Sequence, residues 1–260
     1  SSFKYEIEID FNTNRVSKFT YGINANGKLV AKMMKEFYEN SAGRSYKLVQ
    51  CINESLDDGS DASGSSGTAF FINNKGYLLT NNHVVEGCSL SKITYKNKDY
   101  ETKLIAKDQT LDLALLKAEI KPKSYFAFAK DEAKKLNKVY VAGYPLGKGL
   151  SDDLKISSGI ISSLKGFKDN SNEIQIDAPI NPGNSGGPII NENGNLVAIA
   201  VSGLAKDQTE GINFGIKSSA AETFLKSNNI NPKKSMYSGI KENDKLLEIL
   251  EEGTVYTYCD

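Results

Sequence analysis

The chain has 260 residues, 39% hydrophobic and 25% charged, with 32 basic side chains against 32 acidic ones and a single histidine. Zero net charge, with Arg15 and Arg44 as the only arginines, gives no electrostatic footprint for nucleic acid or for an acidic membrane surface. No apolar run reaches the length of a bilayer span, and no signal-peptide pattern opens the sequence. Cys51, Cys88 and Cys259 lie far apart with no Cys-x-x-Cys, so no metal site and no cofactor is expected.

Taken in order, residues 3–11 alternate apolar and charged side chains as a half-buried strand does. Residues 28–38 place Leu29, Val30, Met33, Met34 and Phe37 at helical spacing, which predicts a helix with the methionines as core filler. A short strand is predicted at 46–52. The Asp-, Ser- and Gly-rich run 57–67 then reads as a flexible linker that closes an N-terminal extension of about 60 residues.

Short β-patterned stretches follow at 68–73, 77–80, 92–96, 100–106 and 111–117. A second set lies at 138–144, 154–164, 173–177, 188–191, 196–202 and 212–216. Many short strands separated by turn signals point to a mostly β fold, and two sets suggest two barrels with a few short helices. The connection between the sets, 120–137, is expected to end in a helical turn at 131–136. Residues 218–227 read as a capped helix, after which 228–260 forms a C-terminal extension with a helix at 244–252 and a strand at 254–259.

Chemistry concentrates at three places. The stretch 181–188, Asn-Pro-Gly-Asn-Ser-Gly-Gly-Pro, surrounds Ser185 with glycines that free the backbone for a tight turn, where amide N–H groups can converge on a small anion. His83 is the one imidazole available as a base. Asp112 sits in the apolar run Leu111-Asp112-Leu113-Ala114-Leu115-Leu116, where a carboxylate needs a compensating partner such as an imidazole N–H. The order His83, Asp112, Ser185, with the serine in the second strand set, is what a site between two barrels requires. Against this stand plainer readings: a β-turn at 181–188, a satisfied histidine, and an aspartate capping a backbone turn.

The combined motifs resemble the trypsin-like serine proteases of the HtrA (Deg) type. They are Gly67-Thr68-Ala69-Phe70-Phe71-Ile72, Gly76-Tyr77-Leu78-Leu79-Thr80-Asn81-Asn82-His83-Val84-Val85, Asp112-Leu113-Ala114-Leu115-Leu116-Lys117, Gly143-Tyr144-Pro145-Leu146-Gly147, Ser158-Gly159-Ile160-Ile161-Ser162, the run from Gln175 to Pro188, and Asn213-Phe214-Gly215-Ile216. The resemblance covers residues 64–227 and implies a trypsin-like double β-barrel and serine endopeptidase activity on protein or peptide substrates. It implies Ser185 as nucleophile, His83 as base and then acid, Asp112 as its orienter, and the N–H groups of Gly183 and Ser185 as oxyanion hole. Ile180, Asn213 and Ile216 match pocket positions of this type. Pro179 stands where trypsin-type enzymes carry an acid, so small or medium aliphatic residues are expected at the cleaved position. A periplasmic or secreted location follows by analogy, and homo-oligomerisation stays open. The rival reading is a catalytically silent scaffold that offers strand edges to peptides.

Some features depart from that pattern. The 33 residues after Ser227 are too few for the PDZ module such proteases usually carry, so none is expected in this chain. Pro182 precedes Gly183 and leaves the peptide plane between them free, so the hole is compatible with a formed or a collapsed state. Asp177, near the serine, is read as structural. Three cysteines leave three pairings open, and three free thiols fit as well; residues 254–259 and 46–51 share a β-prone pattern ending in cysteine, which suggests Cys51–Cys259 as one pairing, with Cys88 as a packed or idle thiol.

Overall fold

The computed structural model describes residues 65–145, 153–201, 211–235 and 239–260 in full, together with the backbone of five strands among the first 64 residues. The chain divides into two compact units, Ser1–Asp61 and Ala62–Asp260. In the first, β1 (Glu8–Asp10) pairs with β2 (Arg15–Lys18), while β3 (Gly22–Ile23), β4 (Leu29–Tyr38) and β5 (Ser45–Ile52) form an antiparallel sheet. The helix expected over 28–38 is thus corrected to a strand. Its ladder with β5 runs from Lys32 opposite Ile52 to Tyr38 opposite Ser45. A β-prone neighbour therefore outweighs the helical spacing of the apolar residues. Of the strand predicted over 3–11 only residues 8–10 fall within the described residues; of the linker 57–67, residues 57–64 lie outside them and Ser66 and Gly67 already belong to a strand.

The second unit holds two closed six-stranded barrels. The first is built from β6 (Ser66–Phe71), β7 (Tyr77–Thr80), β8 (Ser91–Tyr95), β9 (Lys98–Asp108) and β10 (Leu113–Ala118), with α1 (Asn82–Val85) after β7. The second is built from β11 (Lys138–Gly143), β12 (Lys155–Ser163), β13 (Glu173–Ile176), β14 (Pro188–Asn191), β15 (Leu196–Val201) and β16 (Asn213–Lys217). A single 3-10 turn (Phe167–Asp169) lies between β12 and β13. Helices α2 (Ser218–Ser227) and α3 (Asn243–Gly253) follow, and then β17 (Thr254–Cys259). Residues 131–136 form no helix; the segment turns through Leu136 at φ 69.

The sixth stave of the first barrel is β17, from the far end of the chain. It lies antiparallel between β6 and β8, with Val255 opposite Ala69 and Thr257 opposite both Gly67 and Ile93. The segment that the sequence sets apart as a C-terminal extension thereby closes the barrel that carries His83. Cys259, at its end, is disulfide-bonded to Cys88, with the Cα atoms 5.3 Å apart. That pairing corrects both the Cys51–Cys259 expectation and the idle Cys88. Reduction, or Cys88→Ser, is expected to lower stability by about 2–4 kcal/mol, because the bond closes a long loop. Urea melts with and without reductant will measure it.

Apolar residues sort into three layers. Ala69, Phe71, Leu78, Ile93, Ala114, Leu116 and Val255 fill the first barrel, and Val139, Val141, Ile161, Ile174, Ile176, Ile189 and Ala198 fill the second. Phe70, Leu79, Leu113, Leu115, Phe126, Ile190 and Ile199 form a layer between them with Phe224, Leu246 and Leu250 of the two helices. Successive residues of a strand face opposite sides, so Leu113 and Leu115 face this shared layer while Ala114 and Leu116 face the barrel. The unbroken apolar run after Asp112 is a strand buried on both faces.

Candidate active site

His83 projects from α1, the single helical turn after β7, where the chain is held by the loop that precedes β10. Asn82 N–H and Asn81 Nδ2 both donate to the Asp112 carbonyl, at 3.1 and 2.9 Å. Asp112 adopts a left-handed conformation, φ 53, which costs a non-glycine residue on the order of 1 kcal/mol or more. The turn before it supplies the restraint: the N–H groups of Thr110 and Leu111 donate to Asp108 Oδ1 at 2.9 and 3.0 Å. Held in this way, the Asp112 carboxylate meets His83 twice. Oδ1 accepts the His83 backbone N–H at 2.9 Å, and Oδ2 lies 2.7 Å from Nδ1.

Both side chains keep partial access to solvent, at 44% for His83 and 28% for Asp112. A carboxylate on Nδ1 selects the Nδ1–H tautomer and leaves Nε2 as the basic nitrogen. Asp112 is therefore not embedded in a strand as the sequence implies; it stands at the strand's mouth with its carboxylate committed to one ring.

Ser185 is buried in the turn before β14. Asn184 N–H donates to the Asn181 carbonyl at 2.9 Å, closing a four-residue turn with Pro182 and Gly183 at its centre. Gly183 has φ 97, and a proline cannot take positive φ, so the turn is type II. Glycine is required at the third position for that reason. Neither Gly183 N–H nor Ser185 N–H donates to any group among the described residues. Gly186, at φ 82, is confined more tightly still: a β-carbon there would stand 2.3 Å from both the Thr68 carbonyl and Thr80 Oγ1.

These contacts join the two halves of the site. Thr68 N–H donates to the Ser185 carbonyl at 2.9 Å, and Thr80 Oγ1 donates to the Thr68 carbonyl at 2.8 Å, three residues before His83. No direct hydrogen bond joins Ser185 Oγ to His83. Among the described residues, the buried Oδ1 atoms of Asn81, Asn82 and Asn184 have no hydrogen-bond partner. Tyr144 lies alongside, and burial pushes its phenol up to about 12, which keeps it neutral.

The pocket candidates separate. Asn213 is opposite Ile176 in the β13–β16 ladder, and its Nδ2 donates to the Ala178 carbonyl at 3.0 Å. Ile180 belongs to the same second-barrel cluster as Ile176 and Ala178. Ile216 does not join them; it points to the other face of β16, into the layer between the barrels. Asp177 Oδ1 accepts the Ile160 N–H at 2.6 Å. In the loop 143–147, residues 146 and 147 lie outside the described residues; a β-carbon at Gly143 would stand 2.7 Å from Asn184 Oδ1. Thr68 and Thr80 stand inside the quoted motifs, but nothing in the sequence assigns either a part in the site; Thr68 is marked only by following Gly67 and Thr80 only by its place three residues before His83.

A family profile described as the trypsin-like peptidase domain matches residues 67–199. The serine protease Do-like HtrA of Bacillus subtilis (strain 168) is 36% identical over 180 residues, covering 64% of this chain and 40% of the relative. The probable periplasmic serine endoprotease DegP-like of Rhizobium meliloti (strain 1021) is 37% identical over 170 residues, covering 63% of this chain and 33% of the relative. The chain thus spans less than half the length of these relatives. Among solved structures, the HtrA-type protease AlgW with a decapeptide aligns with a TM-score of 0.56 at 30% identity, over 63% of this chain and 51% of that one. The two closed barrels accordingly have the fold of the HtrA-type proteases. With the profile spanning half of its residues, this chain belongs to the trypsin-like peptidase family.

Proposed function

We propose that the protein is a serine endopeptidase. Ser185 Oγ attacks the carbonyl of the scissile peptide bond, and His83 Nε2 takes its proton. The tetrahedral oxyanion is held by the N–H groups of Gly183 and Ser185, and the imidazolium by Asp112. His83 then protonates the leaving amine, and water, deprotonated by the same nitrogen, hydrolyses the acyl-enzyme. The observation that carries this reading is the twofold bonding of His83 by one carboxylate, a backbone N–H and Nδ1 on the two oxygens of Asp112. A generic surface histidine has no need of a strained partner.

The amides of Gly183 and of Ser185 itself, unengaged among the described residues, supply the second support. The rival scaffold reading calls for barrel edge strands, and the two closed barrels offer none along their staves. The substrates are proteins or peptides, and a periplasmic or secreted location is inferred from relatives such as the Rhizobium meliloti protein.

Specificity rests on Ile180 and Asn213, with Pro179 in place of a pocket acid. Ile180 presents an apolar wall, and the Asn213 amide is tied to Ala178 rather than free to pair with a charge. Digestion of a peptide library by the purified protein is expected to give cleavage after small or medium aliphatic residues. Dominant cleavage after Lys or Arg would overturn the pocket assignment, since a misfit methylene in such a pocket costs only about 1–3 kcal/mol but an unpaired buried charge costs far more.

A further inference from the structure

Thr68 has no assigned part in the chemistry, yet every polar atom it owns is spent on the site. Its N–H donates to the Ser185 carbonyl at 2.9 Å, and its carbonyl accepts Thr80 Oγ1 at 2.8 Å. Its Oγ1 donates to the Gly183 carbonyl at 2.7 Å and accepts the Tyr144 N–H at 3.0 Å. The residue is wholly buried and belongs to β6 of the first barrel, whereas Gly183, Ser185 and Tyr144 belong to the second half of the chain.

We infer that Thr68 is the positioning residue of the oxyanion hole, a latch from the first barrel that holds the active form of the 181–185 turn through its side-chain hydroxyl. The inference rests on the serine-protease reading above. The peptide between Gly183 and Asn184 is pinned at both ends: its carbonyl by Thr68 Oγ1 and its N–H by the Asn181 carbonyl. With φ of Gly183 at 97, pinning that plane sets where Gly183 N–H points. Thr68 also takes the Ser185 carbonyl, so the carbonyls of both hole residues are bonded to one side chain and its own backbone while their N–H groups stay unengaged. Without the hydroxyl, the half-buried Gly183 carbonyl meets an apolar group in place of its donor, and the turn gains a reason to flip toward another partner. A donor is needed here, not merely a filler, because a carbonyl turned away from water and left unpaired is costly.

The test compares Thr68→Val, which keeps the shape and loses the hydroxyl, with Thr68→Ser, which keeps the hydroxyl. On a cleavable peptide, Thr68→Val is expected to lower kcat about 10-fold to 100-fold with KM changed less than about 3-fold. That is below the 10²–10³ lost with a hole donor itself, because Thr68 acts through Gly183. Thr68→Ser is expected to stay within about 3-fold of the unmodified enzyme. Affinity for a peptide aldehyde, whose adduct places an oxyanion in the hole, should fall with kcat/KM, while affinity for the matching peptide alcohol should not change. Should Thr68→Val fail to fold, Thr68→Cys, with a weaker donor, carries the same comparison with an expected kcat loss of about 5-fold or more.

Equal kcat for the unmodified protein and the folded variant lacking the donor, or a parallel loss of aldehyde and alcohol binding, would overturn the inference. An unmodified protein that neither cleaves peptides nor reacts at Ser185 would instead sink the protease reading beneath it.

Discussion

Ser185→Ala is expected to lower kcat for a cleavable peptide by about 10⁵-fold to 10⁶-fold, and His83→Ala by about as much. The two act as one unit: the serine is a weak nucleophile until the imidazole takes its proton, and the imidazole has nothing to activate without the serine. The double variant should therefore be no slower than either single one. Asp112→Asn keeps the contact geometry but can donate to Nδ1, which inverts the tautomer, and about 10⁴-fold of kcat is expected to be lost. Ser185 Oγ has no hydrogen bond among the described residues, so its removal should leave the melt nearly unchanged. Steady-state rates and melts on the four variants check this set. A Ser185→Ala rate within tenfold of the unmodified protein would place the nucleophile elsewhere.

Removal of residues 254–260 is expected to unfold the first barrel and abolish activity, although none of His83, Asp112 and Ser185 is touched. The loss exposes both flanks of the gap, β6 and β8, and strips away Thr254, Val255 and Thr257, each at most 2% exposed. It also leaves Thr68 in a stave whose neighbour is gone, since Tyr256 pairs directly with it. Together with the disulfide to Cys88, these losses are comparable to the whole stability of a domain, about 5–15 kcal/mol. Val255→Asp is the point version, placing a carboxylate inside the barrel with no partner. A peptide spanning 241–260 added in trans should restore part of the activity of the truncated chain. Urea melts and peptide cleavage read out both effects; a truncated chain that melts within about 1 kcal/mol of the intact one would contradict the stave assignment.

How much of this could be read from sequence depends on how local the cause is. Short alternating strands need only nearby residues, and they lead to the two barrels; His83, Asp112 and Ser185, spread across both strand sets, stand out through the motif around each of them. The helix expected over 28–38 fails because apolar spacing in β4 cannot report that β5 lies ready to pair. The role of β17 is hidden for a related reason: its partners β6 and β8 lie more than 150 residues earlier, and nothing in its own six residues names them. Cysteine spacing likewise carries no pairing information, and Cys259 finds Cys88 only because β17 ends beside β8.

Within the site, the Asp112 carboxylate was legible and its positive φ was not, because that conformation comes from the Asp108 turn before it. Pro182 posed the opposite problem. It left the peptide plane between 182 and 183 undetermined in sequence, whereas φ of Gly183 and the Asn184–Asn181 hydrogen bond assign a type II turn.

Activation of Ser185 by His83 is read out by treating the purified protein with a peptidyl organophosphonate and mapping the adduct by mass. One adduct is expected, on Ser185, in the unmodified protein and almost none in His83→Ala over the same time. No adduct on Ser185 in the folded, unmodified protein, or equal labelling with and without His83, would contradict it.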